Sequence, residues 1–508
     1  MGGPLSDAVG AVCAELRPTL EPASAVAVDQ VVTRLAGPLQ LAVAGRIKSG
    51  KSTVVNALIG RRVAPTDVRE CTRLVTRFRY GTVDRVEVVH TDGTRRTLPY
   101  DADGLVPRDL GADTDAIAYV DAYLTSAILR TVTVIDTPGL GSLDRASSRR
   151  TEVLLGAGGG APVSAAEVTP RAGEPGLDAG SQAAIAQAEA VLYVLTQAAR
   201  ADDEQALAGF HAYSTAHASS PVNALGVLSK ADQLGGSADP WPDARRLAAD
   251  QATALRQRVW DVLPVVGLVA EATETGHFTE ADAEALRALA ERPEAERAVL
   301  FLSADLFLRP DSPVPVAARA RLLERLDLYG VRRAVDALAA EPGLSTGELR
   351  RRLVDASGFP AVRAVVDSTF RRRADVIKAS VALAALDAVA VRATSGDRGR
   401  IRDAVEELLQ EPGTQELRLL EAAGAVMSGT VPMPAERTEE VARLVGGAAP
   451  DTRLGRPGAG PDELRAAALD AAGRWRSYAS FGATPAQSRV AHVVHRSYFL
   501  LWRSLGGG

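Results

Sequence analysis

The sequence predicts an α/β domain with a mostly parallel sheet, followed by an all-helical region. Three observations carry this. Between residues 39 and 266, short apolar runs alternate with helical stretches, the pattern of a parallel sheet covered by helices. The first of these runs ends in a glycine-rich loop that opens a helix. From about residue 281 to the end, apolar residues recur at three- and four-residue spacing.

Residues 5–36 show helical spacing, and Pro18 and Pro22 divide them into two helices that stop at Gly37-Pro38. Strands are expected at 39–44, 74–79, 85–90, 131–135, 190–195, 222–228 and 262–266, with a helix over 51–59. Residues 156–181 are rich in glycine, alanine and proline with little to bury, and read as a flexible insertion. Helices are expected at 318–339, 347–354, 358–394, 400–410, 414–427, 437–445, 461–479 and 484–504.

Composition narrows the function. The net charge of -5 lacks the basic surplus of a dedicated nucleic-acid binder. Two cysteines, Cys13 and Cys71, are too few for a disulfide framework, and a reducing cytoplasm is the expected home. The N-terminus shows no signal-peptide pattern, and no apolar stretch is long enough to span a bilayer. Of 58 basic residues only Lys48, Lys51, Lys230 and Lys378 are lysine, and three of these four fall in two short motifs. The chemistry there calls for an ammonium group that the planar guanidinium does not replace.

The first motif, Gly45-Arg46-Ile47-Lys48-Ser49-Gly50-Lys51-Ser52-Thr53, matches G-x-x-x-x-G-K-S/T between a strand and a helix. Its glycines let backbone N–H groups face phosphates, Lys51 reaches the β- and γ-phosphates, and the Ser52 hydroxyl ligates Mg²⁺. In the second, the apolar strand 132–135 ends in Asp136-Thr137-Pro138-Gly139. Asp136 is expected to hold Mg²⁺ through water, and the Gly139 N–H to contact the γ-phosphate. In the third, Ser229-Lys230-Ala231-Asp232 ends another apolar strand and is similar to the guanine-reading N/T-K-x-D motif, with serine in the first place. Asp232 would accept from the guanine N1–H and 2-amino group, a donor pair that adenine lacks. The Lys230 stem would cover the base. A switch threonine that gives Mg²⁺ its hydroxyl is best placed at Thr72, ahead of Thr66 and Thr76. A fifth, guanine-side element should follow strand 262–266, but Val265-Val266-Gly267-Leu268 lacks the expected serine-alanine pair.

Together the phosphate loop, Thr72, Asp136–Gly139 and Ser229–Asp232 resemble dynamin-like large GTPases, and more closely their actinobacterial IniC type. The likeness runs over nearly the whole chain. It includes Ala64-Pro65-Thr66-Asp67, Asp311-Ser312-Pro313-Val314-Pro315-Val316 and Arg373-Ala374-Asp375-Val376-Ile377-Lys378-Ala379.

The resemblance implies a GTPase head over 38–370, carrying the 156–181 insertion, and a helical stalk made from 1–37 and 371–508. It implies binding and hydrolysis of GTP to GDP and phosphate with Mg²⁺, and turnover stimulated when heads associate. It also implies action on membranes, hence a peripheral place at the inner face of the cell membrane. A regulatory switch that recruits a protein partner, such as a second dynamin-like protein, without touching lipid is the alternative. Nucleic acid is not an expected partner. Leu140 stands where small GTPases carry a water-orienting glutamine, so catalysis would be mostly positioning and charge stabilisation. Lys48, where guanylate-binding proteins have an internal arginine finger, would add positive charge in cis. His495-Arg496-Ser497-Tyr498-Phe499-Leu500-Leu501-Trp502-Arg503, the most aromatic stretch, reads as a helix packed into the stalk rather than an interfacial helix.

Overall fold

The computed structural model describes residues 3–46, 48–65, 74–138, 188–196, 221–234, 239–309, 313–447 and 449–506. The chain opens with helices α1 (Pro4–Leu16) and α2 (Pro22–Ala36), both started by proline in the first turn. Strand β1 (Leu39–Gly45) then enters the core, followed by α3 (Lys51–Ile59). The sheet continues with β2 (Thr76–Tyr80), β3 (Arg85–His90), β4 (Arg95–Leu98), β5 (Ile117–Leu124), β6 (Val132–Asp136), β7 (Ala190–Thr196) and β8 (Ala224–Ser229). Helix α4 (Trp241–Ala254) and β9 (Val262–Val265) complete it.

The strand order is β4-β3-β5-β2-β6-β1-β7-β8-β9. From β6 to β9 every pairing is parallel. These strands are apolar on both faces and buried throughout the centre, as a sheet covered on two sides requires. On the other flank β2 runs antiparallel to β6, and β3 runs antiparallel to both β4 and β5. The expected run of seven strands therefore lacked β4 and β5. Strand β5 carries Asp121 in its middle, fully buried, and Arg77 of β2 grips it with two hydrogen bonds of 2.6 and 2.8 Å. The Arg77 guanidinium also lies 4.0 Å over the Tyr119 ring. A paired charge inside a strand hides the apolar alternation from which strands are read.

Beyond β9 the described residues form helices: α5 (Gly267–Glu274), α6 (Glu280–Ala290), α7 (Glu294–Leu300), α8 (Ala304–Phe307), α9 (Val316–Ala340) and α10 (Thr346–Ala356). Next come α11 (Phe359–Val365), a π-helical segment (Val366–Arg371), α12 (Ala374–Arg392), α13 (Ser395–Gln410), α14 (Gln415–Met427) and α15 (Ala435–Gly446). The short α16 (Pro450–Arg453) leads to a hairpin of α17 (Pro461–Ser480) and α18 (Pro485–Ser504). The helices expected from periodicity after residue 318 are all present, with 358–394 divided by the π-helical segment. Helices α1 and α2 pack on α12, and α1 also on α13, so the two ends of the chain share one helical body. In α18, Tyr498 and Leu501 are buried while Phe499 and Leu500 are exposed. The insertion at 156–181 lies outside the described residues.

Candidate nucleotide-binding site

The phosphate loop leaves β1 where that strand is flanked by β6 and β7, at the C-terminal ends of parallel strands. This is the crevice in which open α/β sheets bind ligands. Two glycines shape the loop. Gly45 has φ 151°, and a Cβ there would sit 2.4 Å from the Val194 carbonyl oxygen. Gly50 has φ 92°, and a Cβ there would sit 2.7 Å from the Ser229 hydroxyl. Neither position admits a side chain, so the backbone stays bare and α3 can begin at Lys51.

Lys51 is only 4% exposed and its Nζ donates to the Arg46 carbonyl at 2.9 Å, folding the ammonium back over the loop. Burial lowers its pKa against the opposing pull of Asp136. Asp136, the last residue of β6, accepts from the Ser52 hydroxyl on Oδ2 at 3.4 Å. Its Oδ1 is buried without a hydrogen-bond partner among the described residues, as is the Ser49 hydroxyl. Burial pushes the Asp136 carboxyl up to about 6, with Lys51 and Ser52 acting in the other direction. An unpartnered carboxylate oxygen beside a serine hydroxyl and an ammonium is a polar set that can accept a ligand. Hard oxygen donors of this kind suit Mg²⁺, and the ammonium and helix terminus suit phosphate, so the residues fit both groups. Thr137 fixes the strand end by donating its hydroxyl to the Val43 carbonyl at 3.0 Å. Thr53 lies in the first turn of α3 and is buried.

Lys48 is exposed and has φ 63°, an unusual conformation for a residue with a side chain. Ile47, Thr66, Thr72, Gly139 and Leu140 lie outside the described residues. Thr76, the other alternative to Thr72, opens β2 and pairs with Asp136 in the antiparallel ladder.

Ser229 ends β8, buried, with its hydroxyl against Gly50. A serine there brings the end of β8 directly against the phosphate loop. Lys230 takes φ 58° and starts the short turn Ala231–Gln233. That turn holds Asp232, half-buried, whose carboxyl is pushed up to about 6 by burial first and by Asp327 second. Asp327 was not anticipated. It interrupts α9 with φ 55° and ψ 176°, a conformation costly outside glycine and concentrated at functional sites. An aspartate within a helical period gives no sign of this in the sequence. Nearby, the Trp241 indole donates to the Tyr329 hydroxyl at 2.7 Å, and Tyr329 donates to the Ala356 carbonyl at 3.1 Å. These bonds tie α4, α9 and α10 around the Asp232 turn.

A Cβ at Gly267 would lie 3.5 Å from Thr53 and 3.8 Å from the Ser229 hydroxyl. The Val266-Gly267 turn thus abuts both the phosphate-loop helix and the Ser229 strand end, without a serine-alanine pair.

A buried network anchors the far end of α3. Asn56 is fully buried; its Oδ1 accepts from the Val63 and Ala64 N–H groups at 3.0 and 2.8 Å. Its Nδ2 donates to the Ala64 carbonyl at 2.9 Å and to Glu271 of α5 at 2.7 Å. Burial pushes the Glu271 carboxyl up to about 7, with Asn56 and Arg62 acting the other way. Asn56→Leu leaves two N–H groups and a carbonyl unpaired and removes the hydrogen bond to Glu271, and should cost about 3 kcal/mol of stability. Urea unfolding measures the loss, and faster amide exchange at Val63 and Ala64 identifies its origin.

The chain is similar to known proteins over nearly its whole length. A model of the Dynamin family matches residues 41–208. The isoniazid-induced protein IniC of Mycobacterium tuberculosis is 34% identical over 481 residues, 92% of this chain and 91% of the relative. A bacterial dynamin-like protein of Nostoc punctiforme is 32% identical over 133 residues, 24% of this chain and 19% of that protein. Among solved structures, one from an oligomerised bacterial dynamin pair described as sensing and tethering membranes covers 99% of this chain and 75% of its own, at 10% identity. Its TM-score of 0.35 carries no functional inference. The identity with IniC extends across nearly the full length of both proteins, and the chain belongs to the IniC-type family of bacterial dynamin-like GTPases.

Proposed function

We propose that this protein binds GTP with Mg²⁺ and hydrolyses it to GDP and phosphate, with turnover that rises when two heads associate at a membrane surface. The observation that carries the reading is the meeting of two half-sites at Gly50. Lys51, Ser52 and Asp136 form the phosphate half, with unpartnered oxygens at Asp136 and Ser49. Ser229, Lys230 and Asp232 form the base half, joined to it where Ser229 touches Gly50. In this reading Gly45, Ser49, Gly50, Lys51, Ser52 and Thr53 cradle the phosphates, and Ser52, Thr72 and Asp136 serve the metal, Asp136 through water. The Gly139 N–H meets the γ-phosphate and Asp232 selects guanine. Residues 38–370 act as the head, and 1–37 with 371–508 as the stalk. The packing of α1 and α2 on α12 supports that division.

The membrane part of the proposal rests on family membership; among the described residues no helix is long and apolar enough to cross a membrane. The test measures GTP turnover per chain against protein concentration, with and without anionic vesicles. The proposal expects turnover per chain to rise with concentration and again with vesicles. Turnover that is constant per chain removes head association, and indifference to vesicles favours the protein-recruiting switch. Equal hydrolysis of ATP overturns the guanine reading.

Lys48 provides the cis positive charge in this proposal. Its exposed ammonium stands one residue before Ser49 on a strained loop position. Lys48→Ala should lower kcat by about a hundredfold, the scale for one transition-state donor, with little change in nucleotide affinity. Lys48→Gly relieves the backbone and should lose the same activity without losing stability. Parallel losses in affinity and kcat would assign Lys48 to ground-state binding instead.

A further inference from the structure

One sequence motif has no part in nucleotide chemistry: Arg373-Ala374-Asp375-Val376-Ile377-Lys378-Ala379, at the start of α12. The structure explains two of its charged residues. Asp375 accepts the N–H groups of Gly3, Leu5 and Ser6 at 3.1, 2.9 and 2.8 Å, capping α1 from a distant part of the chain. Lys378 donates its ammonium to the Gly37 carbonyl, just before β1, and its charge acts on the buried Glu189, just before β7.

The third charged residue is not explained by packing. Arg373 has a buried Nη1 with no hydrogen-bond partner among the described residues. It lines a cavity of about 120 Å³ between the π-helical segment and helices α12, α14, α15 and α16. Arg372 and Arg453 line the same cavity, with Glu416 as the acidic residue among its walls and Leu420 and Leu444 on its apolar side. Arg453 is 3.9 Å from Glu416, which is 60% exposed, and gives its Nε to the Gly447 carbonyl at 3.0 Å. Burial first and Arg453 second bring the Arg373 pKa down to about 10, against the opposing pull of Glu416. Three guanidinium groups thus face one carboxylate across a partly apolar space. A guanidinium nitrogen buried without a partner is costly unless an anion meets it. The cavity has room for roughly four water volumes, enough for a tetrahedral oxyanion. The forked donors of arginine match the oxygens of phosphate two at a time.

We propose that this cavity, where the head segment ending near residue 370 passes into α12, is a phosphate-binding site in which Arg373 and Arg453 hold the oxyanion. The phosphate belongs either to a free anion or to a phospholipid headgroup. The site lies away from the phosphate loop: Arg371, adjacent in sequence, bonds Thr131 at the entry of β6, the opposite strand end from Asp136. It is therefore a place distinct from the phosphate loop.

The test uses the full chain carrying Lys51→Ala, so that the nucleotide site loses its phosphate-gripping ammonium. Calorimetric titration with inorganic phosphate at constant ionic strength should show binding, weakened about tenfold or more by Arg373→Met and by Arg453→Met, each of which removes a charged fork. In phosphate-free buffer Arg373→Met should melt at or above the parent temperature, because an apolar side chain replaces an unpaired charge. Saturating phosphate should reverse that order. If free phosphate gives no heat, sedimentation with phosphatidylcholine vesicles containing phosphatidic acid decides for the headgroup. The parent should then sediment more than either variant, and phosphatidylserine vesicles of equal charge should not reproduce the difference. The proposal is overturned if neither free phosphate nor phosphatidic acid distinguishes the parent from the two variants.

Discussion

Lys51→Ala should reduce GTP turnover by about 10²–10³-fold, the scale observed when one preorganised charge or donor is removed from a transition state. The structure gives the reason for a loss of that size. Lys51 is almost wholly buried at the start of α3, with its ammonium held on the Arg46 carbonyl and its charge felt by Asp136. A positive group inside that low-dielectric crevice acts on a developing phosphate charge far more strongly than a surface lysine would. Lys51→Arg should not rescue activity. The bulkier fork does not fit a position 4% exposed, between a loop whose glycines already touch Val194 and Ser229. Steady-state turnover and nucleotide affinity, measured together, check the prediction. An arginine variant with near-normal turnover would show that charge alone, without the compact ammonium, suffices. It would also remove the explanation offered for a chain that is otherwise almost free of lysine.

How far the sequence revealed this site depends on the kind of constraint each residue obeys. The phosphate loop was legible because Gly45, Gly50 and Lys51 are each dictated locally, by backbone angle, by close approach or by charge. The helical region was legible because burial on one helix face imposes a period that 316–340 and 485–504 keep throughout. What could not be read depends on neighbours distant in sequence. Strand β5 escaped notice because Asp121 in its centre is satisfied by Arg77, 44 residues earlier. The wall after β9 was hidden because Gly267 is fixed by contact with Thr53 and Ser229, not by a preferred residue pair. Asp327 belongs to a helix by every local criterion, yet it breaks that helix beside Asp232. Lys378, chemically mute in the sequence, joins α12 to the chain entering β1. Local rules thus located the residues proposed for the phosphates, while much of the surroundings of Asp232 is assembled by tertiary contact.

The base half gives the other large expected effect. Asp232→Asn should weaken GTP by at least about a hundredfold and reverse the preference between GTP and XTP, because a carboxylate that accepts two donors becomes an amide that donates. Guanine presents N–H groups at N1 and C2, whereas xanthine presents an oxygen at C2 that the asparagine amide can meet. Competition of GTP, XTP and ATP against a fluorescent GDP measures the order of preference; retained GTP preference in the variant would place guanine recognition elsewhere. The same residue predicts a pH dependence. Burial and the neighbouring Asp327 push the Asp232 carboxyl up to about 6, above its ordinary value near 3.8. Between those two values the folded protein therefore holds a proton that the unfolded chain has released. Asp232 accordingly withdraws stability as pH rises from about 4 to 6. Guanine needs the ionised form, so binding runs the other way. Asp136 shares this titration range, pushed up by its own burial to about 6, but it is present in both parent and variant. The ratio of parent to Asp232→Asn affinity for GTP isolates Asp232. That ratio should fall up to about tenfold per pH unit below 6 and level off above it. A ratio that stays flat across this range would mean that Asp232 meets the base already ionised, and that α9, broken at Asp327, holds no charge against it.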